Sequence, residues 1–120
     1  MTIKAMVPMA HVAVVARSIA FYEALGFTVT NTMGPEGEPP TWAALASGGA
    51  ELMLVAANGA IDMSRQGVIF YVYSDDVRGL RGRLTAAGIE AGPLSLPPHN
   101  PNGEFRVLDP DGYLVMVTHI

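Results

Sequence analysis

The sequence predicts an α+β fold in which two βαβββ modules form a curved, eight-stranded mixed sheet around a concave cavity, with the helices outside. Half of the 120 residues are apolar, which is enough for a single domain of 1–120 without disulfides or a structural metal. Strand-like and helix-like segments follow one another in the same order twice, and the glycines that end them recur at a spacing of about 60 residues. Because four strands and one helix cannot cover both faces of a sheet, we expect the two modules to associate.

The first module covers about residues 5–58. Its first strand, Met9–Ala16, is rich in β-branched residues, and Ser18 is the predicted N-cap of the helix that follows. The apolar stripe of that helix is Phe21, Tyr22 and Leu25, and Gly26 suits a left-handed C-cap. Three more strands are predicted, separated by a Pro/Gly-rich loop at 34–40 and a turn at 48–49: Phe27–Met33, Trp42–Ala46 and Glu51–Ala57.

The second module covers about residues 66–120 and repeats this order. Its helix is predicted from capping side chains at 74–76, a terminating glycine and an arginine-bearing solvated face, with a buried stripe of Val77, Leu80, Leu84 and Ala87. The turn before the last strand is Asp111–Gly112. The predicted strands are Val68–Tyr73, Ile89–Leu96, Glu104–Leu108 and Tyr113–His119.

Composition excludes several classes of function. Seven Lys and Arg residues against eleven Asp and Glu give a net charge of −4 without a basic run, so we expect no nucleic-acid partner. The absence of cysteine removes thiolate zinc sites, iron–sulfur clusters and cysteine nucleophiles. No stretch approaches the ~20 consecutive apolar residues of a membrane span, so we expect no membrane partner and a cytoplasmic location.

Two motifs carry a resemblance to the vicinal oxygen chelate superfamily, which contains glyoxalase I, extradiol dioxygenases, fosfomycin-resistance enzymes and bleomycin-resistance binding proteins. The first is Ser18-Ile-Ala-Phe-Tyr-Glu-Ala-Leu-Gly-Phe27, which is similar to the first helix of the family with its FY and LGF landmarks. The second is Leu108-Asp-Pro-Asp-Gly-Tyr-Leu-Val-Met116, which resembles the family's DPDG turn and last strand. The resemblance covers the whole chain, and it indicates a fold rather than a particular chemistry.

The resemblance also implies where a metal ion would be held. Metal-dependent members carry ligands, usually His and Glu, on the first and fourth strands of each module. Aligned on the motifs, these positions are His11, Met53, Val68 and Met116, and only the first is a ligand for a divalent ion. Glu51 shares a strand face with Met53, so His11 and Glu51 are the candidates for metal binding or for acid–base catalysis. On this register we expect no metal cofactor.

Two functions remain open. In the leading hypothesis the protein resembles the bleomycin-resistance group. It is a homodimer that binds a small apolar or aromatic molecule in its cavity without a metal, and the molecule is either neutral or cationic. The alternative is a lyase or dioxygenase of the same superfamily that uses one divalent metal ion bound by His11. Met53 and Met116 either line an adaptable pocket or fill the core. Trp42 either stacks on a flat ligand or packs in a dimer interface. The predicted ligand-binding residues are His11, Trp42, Met53, Val68, Phe70, Tyr113 and Met116.

We assign the other aromatic and charged residues of the second module to packing and to the surface. Tyr71 and Tyr73, like Tyr22 in the first module, are interpreted as packing between helix and sheet. Glu104 and Arg106 are interpreted as residues of an edge or surface.

Overall fold

The computed structural model describes residues 1–120, which divide into two compact units, Met1–Ile61 and Asp62–Ile120. The boundary falls within the loop predicted between the two modules. Each unit begins with a strand and a helix and continues with further strands, so the α+β class is confirmed. Neither helix has the length and apolar character needed to cross a bilayer.

The first unit is a four-stranded sheet with one helix. Its elements are β1 (Met9–Val12), α1 (Val15–Ala24), β2 (Thr28–Met33), β3 (Trp42–Ser47) and β4 (Ala50–Ala56). The order in the sheet is β1-β4-β3-β2, with β1 parallel to β4 and the other pairs antiparallel. The buried residues of this unit include Val12, Val15, Phe21, Tyr22, Leu25, Ala43, Leu45, Leu52 and Leu54. The predicted stripe of α1 is therefore confirmed.

The start of α1 differs from the prediction. The helix begins at Val15 with Val14 as N-cap, and no side chain caps it. Ser18 lies inside the first turn, fully buried, and its N–H donates to the Val14 carbonyl oxygen at 3.2 Å. Ser18 as N-cap and the strand to Ala16 were wrong, because the helical hydrogen-bond ladder already begins at Val14. Gly26, with φ of 112°, follows the helix as predicted.

The second unit has a three-stranded sheet. Its elements are β5 (Ile69–Ser74), α2 (Val77–Ala86), β6 (Glu104–Leu108) and β7 (Leu114–His119), with a 3₁₀ turn at Met63–Arg65. The order is β5-β7-β6, with β5 parallel to β7 and β6 antiparallel to β7. The Asp76 side chain caps α2 by accepting from the Gly79 N–H at 2.9 Å, as the sequence predicted. Of the predicted stripe, Val77 and Leu84 are buried, whereas Ala87 is the exposed C-cap.

The predicted strand Ile89–Leu96 is not a strand. Only an isolated bridge between Ser95 and Glu104 forms, together with one bond from the Gly92 N–H to the Arg106 carbonyl oxygen at 2.7 Å. Pro93 has no N–H to continue a ladder, and the Arg81 side chain donates to the Gly92 carbonyl oxygen at 2.8 Å. Arg81 is therefore a half-buried structural residue rather than part of a solvated face. The eight predicted strands become a sheet of four and a sheet of three.

The turn between β6 and β7 is built around a buried carboxylate. Asp109 accepts hydrogen bonds from the backbone N–H groups of Asp111 and Tyr113, both at 2.9 Å. Gly112 has φ of 86°, and a Cβ placed there would meet the backbone of Met63, with its Cα at 2.9 Å. The predicted Asp111–Gly112 turn is confirmed, and only glycine fits its last position.

Candidate functional site

In each unit one face of the sheet packs on the helix, and the other face carries the candidate site residues. In the first unit Ala10, Val12, Leu52 and Leu54 are buried, so the alternate residues of β1 and β4 lie on the opposite, open face. Cα register pairs Met9 with Met53 and His11 with Val55, and it pairs Trp42 of β3 with Val55 as well. The open face of the first unit is therefore mainly apolar around one exposed imidazole.

The donor atoms around His11 do not fit a divalent metal ion. Its register partner Val55 offers no ligand, and the Met53 thioether on the same face binds hard or borderline divalent ions poorly. Glu51 is exposed on that face, on the far side of Met53 from Val55. Within neither unit do three His, Asp or Glu side chains group as a metal site would require. The residues present offer one imidazole and one separate carboxylate.

The open face of the second unit forms the floor of a concave site of about 670 Å³. Its central strand β7 places Met116 and Thr118 on this face, both nearly buried. Tyr71 and Tyr73 of β5 flank β7 on one side, 57% and 63% exposed, with ring centroids 6.3 Å apart and planes inclined by 27°. Glu104 and Arg106 of β6 flank it on the other side. The site thus has an aromatic side and a charged side.

The loop at 97–102 closes one end of this site. The Asn100 side-chain amide donates to the Thr118 hydroxyl and to the His119 carbonyl oxygen, the latter at 3.3 Å. The His99 Nε2 atom lies 3.7 Å from the Glu104 carboxylate, whose side chain is 19% exposed. These contacts hold the loop against the ends of β6 and β7, beside the open face.

The structure separates the ligand-binding residues that the sequence predicted for the second module. Met116 lies in the concave site. Phe70 lies on the other face of the sheet, paired with buried Val115, and its ring contacts the buried Tyr113 with centroids 5.6 Å apart. Val68 precedes β5 and is 52% exposed. Neither Phe70, Tyr113 nor Val68 lines the concave site.

Of the residues that line the site, sequence reasoning predicted only Met116, and those it missed include Tyr71, Tyr73, Glu104 and Arg106. Tyr71 and Tyr73 do not pack between helix and sheet, because they alternate with Phe70 and Val72, which face the helix side. Their place is set by the register between β5 and β7, which the sequence of β5 alone does not show. Tyr71 is the register partner of Met116, so the two side chains share a face.

Together these features describe a small α+β protein made of two related units, each with one helix-covered and one open sheet face. The model of the Glyoxalase/Bleomycin resistance protein/Dioxygenase superfamily matches residues 8–117. The chain belongs to this superfamily, and the resemblance found in the sequence is confirmed. Among curated protein sequences, none matches this chain.

Several solved structures are similar in fold. A bleomycin-binding protein complexed with bleomycin is 21% identical, with a TM-score of 0.75 over 98% of this chain and 99% of that chain. The bleomycin-binding protein of Streptomyces verticillus, complexed with copper(II)-bleomycin, is 19% identical, with a TM-score of 0.71 over 100% and 98%. The fosfomycin resistance protein FosX of Listeria monocytogenes is 13% identical, with a TM-score of 0.76 over 100% and 95%. At these identities the similarity concerns the fold alone.

Proposed function

We propose that this protein binds a small, largely apolar or aromatic molecule without a metal ion, in a cavity at or near the interface of a homodimer. The observation that carries the proposal is the aromatic side of the concave site. Two exposed tyrosine rings, whose planes are inclined by 27°, lie on the same sheet face as Met116 in a site of about 670 Å³. Sites for small molecules commonly have volumes of about 300–1,000 Å³ and combine apolar walls with a few polar groups.

The residues of the site suit a planar guest. Tyrosine offers a flat apolar surface with few rotatable bonds, and methionine adapts its shape to irregular partners. Thr118 and Asn100 supply polar atoms at one end of the site. Two of the structures similar in fold are described as complexes of bleomycin-binding proteins with that antibiotic, which supports a binding role for this chain.

The donor set around His11 supports the metal-free form of the proposal. Metal analysis after dialysis separates it from the alternative, a metal-dependent lyase or dioxygenase. We expect less than stoichiometric Zn, Ni, Fe and Mn. A stoichiometric ion that survives dialysis and disappears in His11→Ala would establish the alternative instead.

A titration followed by two-dimensional NMR tests the binding site. The probes are naphthalene-2-carboxamide as a neutral ring, proflavine as a cationic ring, and bleomycin. We expect at least one probe to shift the amide signals of Tyr71, Met116 and Thr118. Tyr71→Ala should weaken that binding about tenfold because a stacking surface is lost, whereas Tyr71→Phe, which keeps the ring, should bind like the wild type. Absence of binding by all three probes contradicts the proposal.

Exposed apolar side chains support the dimeric part of the proposal. The open faces and strand edges expose Met9, Met33, Ile69, Tyr71, Tyr73 and Leu108, each by 47% or more. Large apolar side chains exposed on sheet faces and edges are candidates for association sites. Sedimentation equilibrium at micromolar concentration should give the mass of two chains, and a monomer mass at every concentration would remove the dimer from the proposal.

A further inference from the structure

The open face of the second sheet is arranged in rows that run across its three strands. Register places Tyr71 beside Met116 and Met116 beside Arg106, so one row reads aromatic, thioether, guanidinium. The next row reads Tyr73, Thr118, Glu104. Neighbouring strands are about 4.8 Å apart, so the two ends of a row are about 10 Å apart. That span matches a bicyclic aromatic ring that carries one substituent.

Arg106 is the only lysine or arginine that lines the concave site. Its side chain is exposed and makes no hydrogen bond or ion pair with the protein. Its backbone is fixed, because the carbonyl oxygen accepts from the Gly92 N–H at 2.7 Å. The sheet therefore presents a guanidinium group whose five N–H donors are all available to a ligand.

The carboxylate nearest to Arg106 in sequence, that of Glu104, faces His99. Glu104 lies on the same face as Arg106, but its side chain is only 19% exposed and its Oε1 atom lies 3.7 Å from His99 Nε2. Arg106 is exposed on the same strand. Arg106 is therefore the more exposed of the two charged groups on this face.

We propose that the concave site selects planar aromatic acids, with the ring over Met116 beside Tyr71 and the carboxylate paired with Arg106. This inference rests on the proposed binding function and names the class of ligand. Guanidinium and carboxylate form two parallel hydrogen bonds in one plane, which fixes the orientation of a ligand as well as its charge. The exposed position of Arg106 beside Met116, rather than the net charge of −4, sets the preference.

Three naphthalene compounds of equal size test the selection: 2-naphthoate, naphthalene-2-carboxamide and 2-naphthylmethylammonium. In calorimetric or NMR titrations of the full chain at low salt, we expect 2-naphthoate to bind about tenfold more tightly than the amide, and the ammonium most weakly. Added salt should reduce the preference for the acid but leave amide binding unchanged, because screening acts on the charged pair.

Variants at Arg106 test whether this residue causes the preference for 2-naphthoate over the amide. Arg106→Gln should equalise 2-naphthoate and the amide while amide affinity stays the same, and Arg106→Lys should retain part of the preference. The matched control is Arg78→Gln, which removes an exposed arginine of α2 outside the site and should retain the full preference.

The outcomes separate the two proposals. If the amide binds the wild type as tightly as the acid does, or if Arg106→Gln keeps the preference, the anionic selection is wrong while the binding function stands. If none of the three naphthalene compounds binds, the anionic selection is wrong, and the titrations with proflavine and bleomycin decide whether the binding function stands.

Discussion

The two units share the order strand, helix, strands, but their sheets end differently. In the first unit the sheet has four strands, and its open face is mainly apolar around His11. In the second unit the segment at 89–96 forms one bridge instead of a strand, and β6 is left as the edge. That edge strand carries Glu104 and Arg106 beside the concave site. A repeated topology therefore does not repeat its chemistry: the unit with three strands presents the mixed aromatic and charged surface.

The turns before the last strand of each unit give the largest expected contrast. Gly112→Ala should destabilise the protein by about 3 kcal/mol, since it combines a left-handed backbone with a Cβ against the backbone of Met63. Gly49 occupies the corresponding turn of the first unit, where its φ is not in the left-handed region and a Cβ would meet no other atom. Gly49→Ala should therefore change stability by less than ~0.5 kcal/mol. Urea unfolding measures both, and equal effects would show that the turns are equivalent.

Removing the carboxylate of Asp109 should cause the second-largest loss of stability. Asp109→Ala leaves the N–H groups of Asp111 and Tyr113 without their acceptor in a buried turn, which should cost about 2 kcal/mol. The turn of the first unit has two glycines and no such carboxylate. Asp75→Ala is the control, because it removes an exposed carboxylate next to α2. The two variants should differ in their thermal midpoints, and a normal midpoint for Asp109→Ala would mean that the turn does not depend on it.

Helix capping gives a smaller contrast between the units. Asp76 caps α2, so Asp76→Ala should cost about 1 kcal/mol. Val14 at the N-cap of α1 makes no side-chain hydrogen bond and is 50% exposed, so Val14→Asp should stabilise the protein by about 0.5–1 kcal/mol. Chemical denaturation measures whether each variant gains or loses free energy of unfolding. A loss of stability in Val14→Asp would show that the apolar side chain at this position is needed for packing.

The smallest expected effect is a pH dependence at the start of the second unit. The Ser64 hydroxyl and then the Ser64 N–H hold the pKa of the Asp62 carboxyl below its ordinary value of 3.8. Because the folded state favours the ionised form, the stabilisation is present above the ordinary value and is lost as pH falls through the folded-state pKa. Carboxyl NMR titration should show this lowered pKa in the wild type. In Ser64→Ala it should move back toward the ordinary value, and an unchanged titration would contradict the assignment.

Much of the fold followed from local sequence signals. The glycines after each helix, the cap at Asp76 and the Asp-Pro-Asp-Gly turn each impose a local geometry that needs no distant partner. The start of α1 was less predictable, because Val14 offers no capping side chain while Ser18 suggests a cap four residues too late. The segment at 89–96 was also misread, since extended backbone becomes a strand only if a neighbour completes its ladder.

The site was harder to predict than the fold. Residues 68–73 are all apolar or aromatic, so nothing in their pattern says whether Phe70 or Tyr71 faces the helix. That choice depends on the register between β5 and β7, which are far apart in the chain. The family resemblance placed His11 at a cavity-facing position, and in the structure it alternates with the buried Ala10 and Val12.

In each unit the first strand has a single neighbour in the sheet, and that neighbour is the last strand of the unit. β1 pairs only with β4, and β5 pairs only with β7. During synthesis, therefore, β1 has no ladder until β4 has been made, and β5 none until β7 has been made. Each sheet closes only when its final strand arrives, so contacts distant in sequence should limit the rate of folding. Until β7 is made, the tyrosines of β5 belong to an unpaired strand, and such a strand is open to association with another unfinished copy.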